Sequence, residues 1–206
     1  MDATHQAPGR LFVVSSPSGG GKTTAVRALL RQVPRLVRSV SVTTRPRRPS
    51  ERHGAHYRFL SVEQFRELQR RGELLEWARV HGAYYGTPRR PIERALAKGR
   101  DVMLSIDVQG ARKIRRRFGE RAVLVFLVPP SMGALEARLV RRRTDSPEAI
   151  RHRLEAAKRE LACAQWYDYA VVNHRLPSAI EQLKAIVMVE RLRTSNLRRT
   201  DGTRAH

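Results

Sequence analysis

The sequence predicts a three-layer α/β domain with a parallel central sheet, built around a phosphate-binding loop. Three observations predict it. Short apolar runs alternate with amphipathic helical segments along most of the chain, which is the pattern of a parallel sheet covered by helices. One of those runs, Leu11-Phe12-Val13-Val14, leads into Ser16-Pro17-Ser18-Gly19-Gly20-Gly21-Lys22-Thr23 and then a helical segment. Another, Ala122–Val128, is unbroken and apolar, as a strand buried on both faces requires.

In chain order, residues 1–9 read as a loose tail and Leu11–Ser15 as a buried parallel strand. A helix runs from Lys22 to about Gln32 and stops before Pro34. Val37–Val42 reads as a second strand, with Ser39 and Ser41 facing opposite to Val40 and Val42. Thr43–Pro49 is too rich in proline for regular structure. Ser61-Val62-Glu63-Gln64 is a capping box that opens a helix ending at Gly72. Leu74–Val80 is expected as a strand, Tyr84-Tyr85-Gly86-Thr87-Pro88 as a turn, and Pro91 as the first residue of a helix closed by Gly99. Val102–Ile106 is a strand ending at Asp107, and Gly110–Phe118 a basic helix. Ser131 caps a helix to about Arg142, and Ser146-Pro147-Glu148 starts another that continues to about Gln165. Ala170-Val171-Val172 is a last strand, Pro177 to about Arg193 a last helix, and residues 194–206 a second flexible tail.

The chain of 206 residues is long enough for a sizeable core, and 41% hydrophobic residues fits a globular protein. No apolar run approaches a membrane span, and the N-terminus lacks the basic-then-apolar pattern of a signal peptide. Cys163 is the single cysteine, so no internal disulfide forms, which suits a reducing cytoplasm. The net charge of +22 attracts phosphates of any kind. Its arginines are spread along the chain with no aromatic-interleaved motif, so nucleic-acid binding is expected to be at most weak and non-specific. Nothing in the sequence indicates an oligomeric state, and no histidine is assigned to a metal.

The glycine-rich turn carries the chemistry. Glycines let successive backbone N–H groups curl toward phosphate oxygens, and the following helix adds its positive end. In such a loop Lys22 reaches the terminal phosphates and the Thr23 hydroxyl ligates Mg²⁺. A second cluster spans residues 41–59, where Arg45 and Arg48 stand three apart between prolines with Tyr57 beyond, a rigid clamp for an anion. Asp107, at the end of a parallel strand, stands where ligands bind in such sheets.

Taken together, residues 10–193 resemble the guanylate kinase family, whose members move the γ-phosphoryl group of ATP to GMP. The resemblance is carried by Thr43-Thr44-Arg45, Arg48, Glu51, Gly54 and Tyr57-x-Phe59, by Glu76 within Leu-Leu-Glu-Trp-Ala, and by Tyr84-Tyr85-Gly86-Thr87. Ile106-Asp107-Val108-Gln109-Gly110 and the spacing of Arg142 and Arg153 complete it. It implies a P-loop NTPase fold with a mobile GMP-binding lobe near residues 41–90 and a lid near residues 138–154. It implies that Ser41, Arg45, Arg48, Tyr57 and Tyr85 hold the GMP phosphate, and that Glu76, Thr87 and Asp107 read the guanine. Ser16, Pro17, Ser18, Gly19, Gly20, Gly21, Lys22 and Thr23 would bind ATP. Lys22, Arg142 and Arg153 would act on the transferring phosphoryl group, with Asn173 near the adenine.

The chain departs from the family at several points. Ser16 replaces the first glycine of the loop, and Ser105 stands where an acid is usual, so Mg²⁺ affinity or rate is in question. The lid reads Arg141-Arg142-Arg143 in place of Gly-Arg-Gly, and His174-Arg175 follow Asn173 where acids are common. Three other functions are open to a chain of this kind: a non-catalytic scaffold domain, a small-molecule kinase acting on a sugar phosphate, and nucleic-acid binding. The first lacks the loop lysine and the second the guanine-reading carboxylates, whereas Lys22, Glu76 and Asp107 are all present.

Overall fold

A computed structural model describes residues 8–80, 82–141 and 146–193. Five parallel strands form the central sheet: β1 (Leu11–Ser15), β2 (Leu36–Arg38), β7 (Asp101–Ser105), β8 (Ala122–Val128) and β9 (Tyr169–Val172), in the order β2-β7-β1-β8-β9. β1 is central and every one of its residues is buried. Its alternate side chains split between two cores, as a period of two dictates. Phe12 and Val14 pack with α1 (Lys22–Gln32) and α7 (Leu176–Arg191). Leu11 and Val13 pack with α3 (Arg89–Ala97) and α4 (Val108–Phe118) on the opposite face. These are the three layers expected.

A second, smaller sheet has the order β4-β3-β6-β5, from β3 (Val42–Thr43), β4 (Arg58–Phe59), β5 (Leu74–Val80) and β6 (Ala83–Pro88). It is mixed: β3 and β4 are parallel, whereas β6 is antiparallel to both β3 and β5. α2 (Val62–Arg70) covers it through Phe65, which packs with Val42, Leu74, Trp77 and Tyr84 in a core of their own. The capping box of α2 forms as expected, with Ser61 Oγ accepting from the Gln64 amide and Gln64 returning the bond. α5 (Met132–Arg141) and α6 (Pro147–Leu161) flank the remaining side, and their Ser131 and Ser146 caps are both made.

Several expectations require correction. The single strand over 37–42 does not form: β2 ends at Arg38, Ser39 and Ser41 are both buried, and the chain crosses into the second sheet as β3. The segment 84–88 is a strand and not a turn, since it pairs antiparallel with both β3 and β5; Gly86 serves close packing there, where an added Cβ would come 3.0 Å from Leu74 and 3.2 Å from Phe65. α3 begins at Arg89, which puts Pro91 at its third position. Proline is tolerated there because the first-turn N–H groups have no intrahelical acceptor. α4 also starts earlier than expected, at Val108, and α6 gives way at Ala162 to a 3₁₀ turn ending at Trp166. Of the tails expected at 1–9 and 194–206, residues 1–7 and 194–206 lie outside the described residues, whereas Gly9 is not loose: its amide donates to the Leu96 carbonyl at 2.8 Å.

At the end of the sheet away from the loop, an ionic network ties α7 to the strands. The Arg10 guanidinium meets Glu190 at 3.1 Å with both side chains almost fully buried. The Arg10 amide donates to Asp101 Oδ1 at 2.7 Å, and Arg191 Nε donates to Asp101 Oδ2 at 2.7 Å. Tyr169 donates its hydroxyl to Glu190 Oε1 at 2.7 Å.

Candidate functional site

One cleft joins the C-terminal edge of the parallel sheet to the second sheet. Its walls include the whole loop from Ser16 to Thr23, together with Ser41, Tyr57, Glu76, Tyr85, Ser105, Asp107 and Glu160. Ligands bind at this edge in open α/β sheets, and the loop follows the central strand β1.

The loop is held in shape from within and from behind. The Gly20 amide donates to the Pro17 carbonyl at 2.9 Å. Gly21 caps α1 with φ 92°, a left-handed conformation, and an added Cβ would lie 2.4 Å from Asn173 Nδ2. Asn173 is buried just past β9 and donates that amide to the Gly20 carbonyl at 2.8 Å. Arg138 donates to the Asn173 carbonyl at 3.2 Å and to the Gly20 carbonyl at 3.4 Å. No side chain caps α1 and its first turn holds no acid, so its leading N–H groups and positive end face the cleft. Lys22, Thr23 and Thr24 of that turn wall it.

The Lys22 ammonium donates to the Ile106 carbonyl at 3.1 Å. Burial lowers its pKa, while Asp107 and Glu160 work the other way. Asp107 is the N-cap of α4 and accepts the Gly110 amide on Oδ1 at 3.0 Å. Glu76 arrives from β5 and accepts the Thr87 hydroxyl across the β5–β6 pair. The two carboxylates converge over Gly110, where an added Cβ would lie 2.7 Å from Glu76 Oε2 and 3.2 Å from Asp107 Oδ1. Burial pushes the Glu76 carboxyl up to about 7, with Asp107 adding to the rise and the Thr87 hydroxyl and Lys113 opposing it.

Ser41, Tyr57 and Tyr85 wall the same cleft, with Tyr57 edge-on to Tyr85 at 6.0 Å between ring centres. Arg45 and Arg48 do not wall it. Arg45 instead binds both oxygens of Glu51, at 2.7 and 2.9 Å, and lies over the rings of Tyr57 and Phe59. Glu51 also accepts the Arg48 amide at 2.9 Å. Burial would raise the Glu51 carboxyl, but the bonds from Arg45 and the Arg48 amide outweigh it and hold it below the usual range. Arg153, on α6, is half-buried and does not wall the cleft. Arg142 and Arg143 lie outside the described residues.

Sequence reasoning singled out neither Arg138 nor Glu160, and it quoted Glu51 without a role. Arg138 and Glu160 sit in helical runs of alternating charge that look like solvated faces. Only the three-dimensional structure turns them toward the loop.

The guanylate kinase family model matches residues 8–190. Two bacterial guanylate kinases are similar over most of the chain. That of Chelativorans sp. is 50% identical over 191 residues, covering 93% of this chain and 88% of its own. That of Rhizobium etli is 49% identical over 185 residues, covering 90% and 84%. The crystal structure of guanylate kinase from Anaplasma phagocytophilum is 35% identical, with a TM-score of 0.80, and the match covers 93% of this chain and 90% of that one. With the loop, the open helix end and the paired carboxylates all on one cleft, the chain belongs to the guanylate kinase family and is a phosphotransferase that uses ATP to convert GMP to GDP.

Proposed function

We propose that this cleft divides between the two substrates, with the phosphate loop taking ATP and the second sheet taking GMP. The observation that carries this reading is the meeting of two unlike chemistries in one space. An open helix N-terminus with Lys22 suits phosphates, and a pair of carboxylates suits a base edge made of donors.

Guanine presents N1–H and its N2 amino group on one edge, and ionised Glu76 and Asp107 offer only acceptors. Adenine presents a lone pair at N1 and no amino group at C2, so it leaves a carboxylate unmatched. Ser41, Arg45, Arg48, Tyr57 and Tyr85 take the GMP phosphate in this reading. Glu51 sets the fork of Arg45 in advance, which lowers the ordering cost of binding. A GMP phosphate oxygen attacks the γ-phosphorus, the bond to the β,γ-bridging oxygen breaks, and ADP and GDP leave. Lys22, with Arg142 and Arg153, neutralises charge on the group in flight. Asn173 holds the loop from behind, and ATP's adenine binds near it.

The donor set fits Mg²⁺. Thr23, Ser105 and Asp107, each with an oxygen to offer, all wall the cleft. Among the described residues no group of three or more acids, histidines or cysteines could hold a metal alone. This suits an ion that enters on the nucleotide's phosphates, where it would draw negative charge off the transferred group. Closing of the lobe over residues 41–90 and the lid over 138–154 would exclude water, and so prevent hydrolysis of ATP. Among the described residues no helix is long and apolar enough to cross a membrane. We place the protein in the cytoplasm on its lone cysteine.

A coupled assay of ADP release with GMP, AMP, CMP and UMP tests the substrate assignment. GMP should exceed AMP by at least about 10³ in kcat/KM. Lys22→Ala should lower kcat by about 10²-fold or more with the circular dichroism spectrum unchanged. Equal use of AMP, or normal turnover without Lys22, defeats the reading.

A further inference from the structure

The paired carboxylates of the cleft come from two different bodies. Asp107 caps α4 of the central domain, whereas Glu76 stands on β5 of the second sheet. Their convergence therefore depends on how that sheet is seated. Among the described residues, its chief packing on the central domain is β5 against α4. β5 is also an edge strand, with β6 its only strand neighbour.

α4 meets β5 at two positions three residues apart, and so on one side of the helix. At Gly110 the lack of a side chain lets Glu76 approach, since an added Cβ would lie 2.7 Å from its Oε2. That position makes room but holds nothing. At Lys113 the ammonium donates to the Trp77 carbonyl and lies over the Trp77 ring, 4.5 Å from its centre. One side chain thus holds the backbone and the ring of a single residue of β5. The same ring packs into the core of the second sheet and lies 6.2 Å from the ring of Tyr84. Trp77 faces that core and Glu76, one residue earlier, faces the cleft, as alternation along a strand requires.

We propose that Lys113 is a positioning residue for the base site, pinning Trp77 to α4 so that the neighbouring Glu76 carboxylate stays beside Asp107. The inference rests on the assignment of Glu76 to guanine. The charge of Lys113 has a second effect in the same direction. Burial raises the Glu76 carboxyl and Asp107 adds to the rise, while the Thr87 hydroxyl and Lys113 oppose it. Lys113 therefore favours the ionised form that guanine's donor edge requires.

The experiment is initial-rate kinetics of the intact protein, with GMP and ATP varied in turn from mildly acidic to mildly alkaline pH. Lys113→Met keeps the apolar stem and removes the donor and the charge. It should raise KM for GMP about three- to tenfold, the size of one ordinary hydrogen bond. KM for ATP, and kcat at saturation, should stay within about twofold. The rise of KM for GMP on acidification should begin at higher pH, and titration of GMP's own phosphate is common to all variants. Lys113→Arg can still donate to the carbonyl and lie over the ring, so it should restore both KM and the profile. Arg112→Met removes an equal charge from α4, but Arg112 lies over the ring of Trp166, so GMP kinetics should not change. A KM for GMP unmoved in Lys113→Met overturns the proposal. So does a rise matched by Arg112→Met, which is what general attraction of an anion gives. A Lys113→Arg that behaves like Lys113→Met overturns it too, as does a higher KM with an unmoved pH profile. Should Lys113→Met fail to fold, Lys113→Gln carries the test, and a profile there that matches the unmodified protein overturns it equally. Glu76→Leu separates the two assignments. Full preference for GMP over AMP in that variant removes the guanine reading itself, whereas lost preference there with normal kinetics in Lys113→Met removes only the role of Lys113.

Discussion

Glu76 is a cleft carboxyl held well above its ordinary range. A carboxyl pushed up to about 7 is part-protonated near neutrality, yet guanine's donor edge needs the ionised form. GMP binding should therefore release a proton, and KM for GMP should rise as pH falls below about 7, up to tenfold per pH unit. GMP's own phosphate also titrates, so the control is Glu76→Gln. The part of the slope that disappears in that variant belongs to the carboxyl, and a slope identical in both proteins refutes the assignment. The same raised pKa bears on stability. The folded chain holds a proton on Glu76 that the unfolded chain releases at its ordinary value of 4.5. Its contribution is therefore intact below that value and is lost as pH rises through about 7. Thermal melts should show the empty protein losing part of its stability across that window. Glu76→Gln should not show this loss, provided the amide keeps its bond with Thr87.

Short elements carry most of what the sequence left hidden. Strands with long apolar runs, such as β1 and β8, were readable because burial on both faces leaves an unbroken pattern. The capping box of α2 was readable because its four residues are adjacent. β3 and β4 are two residues each, too short for any periodicity, and β6 contains the Gly86 and Pro88 that ordinarily mark a turn. What makes them strands is pairing with distant segments. The site divides the same way. Lys22 and Thr23 were legible from local spacing, whereas the convergence of Glu76 and Asp107 on Gly110 depends on the packing of β5 against α4. Two predictions belong to this scale. Gly21→Ala forces a side chain into a left-handed conformation and against Asn173, which should cost about 1–2 kcal/mol in denaturant unfolding and weaken ATP. Adding Asn173→Ala should relieve the contact but not the conformation, so a double variant fully restored to normal stability refutes the strain. Glu51→Ala frees the Arg45 fork and should raise KM for GMP several-fold while KM for ATP stays within twofold, a split readable from initial rates.

Over the whole molecule, the ionic network around Arg10, Asp101, Glu190 and Arg191 lies at the end of the sheet away from the cleft. Glu190→Ala removes the carboxylate that meets the buried Arg10 guanidinium at 3.1 Å, and should cost about 3–5 kcal/mol in denaturant unfolding with kcat unchanged wherever the protein stays folded. A loss below about 1 kcal/mol would assign that network to the solvated surface. The net charge of +22 should give weak binding to polyanions that disappears as salt rises, while salt-resistant, sequence-selective binding would mark a nucleic-acid partner. The second sheet has its own small core of Val42, Phe65 and Leu74, apart from the two that flank the central strands. A region that keeps its own oil can be rewritten without reopening the rest. The share of base preference that Glu76 and Thr87 carry is thus separable from the machinery for handling ATP, and selection for other nucleotides can begin within residues 42–88, whereas the share carried by Asp107 is tied to the central sheet.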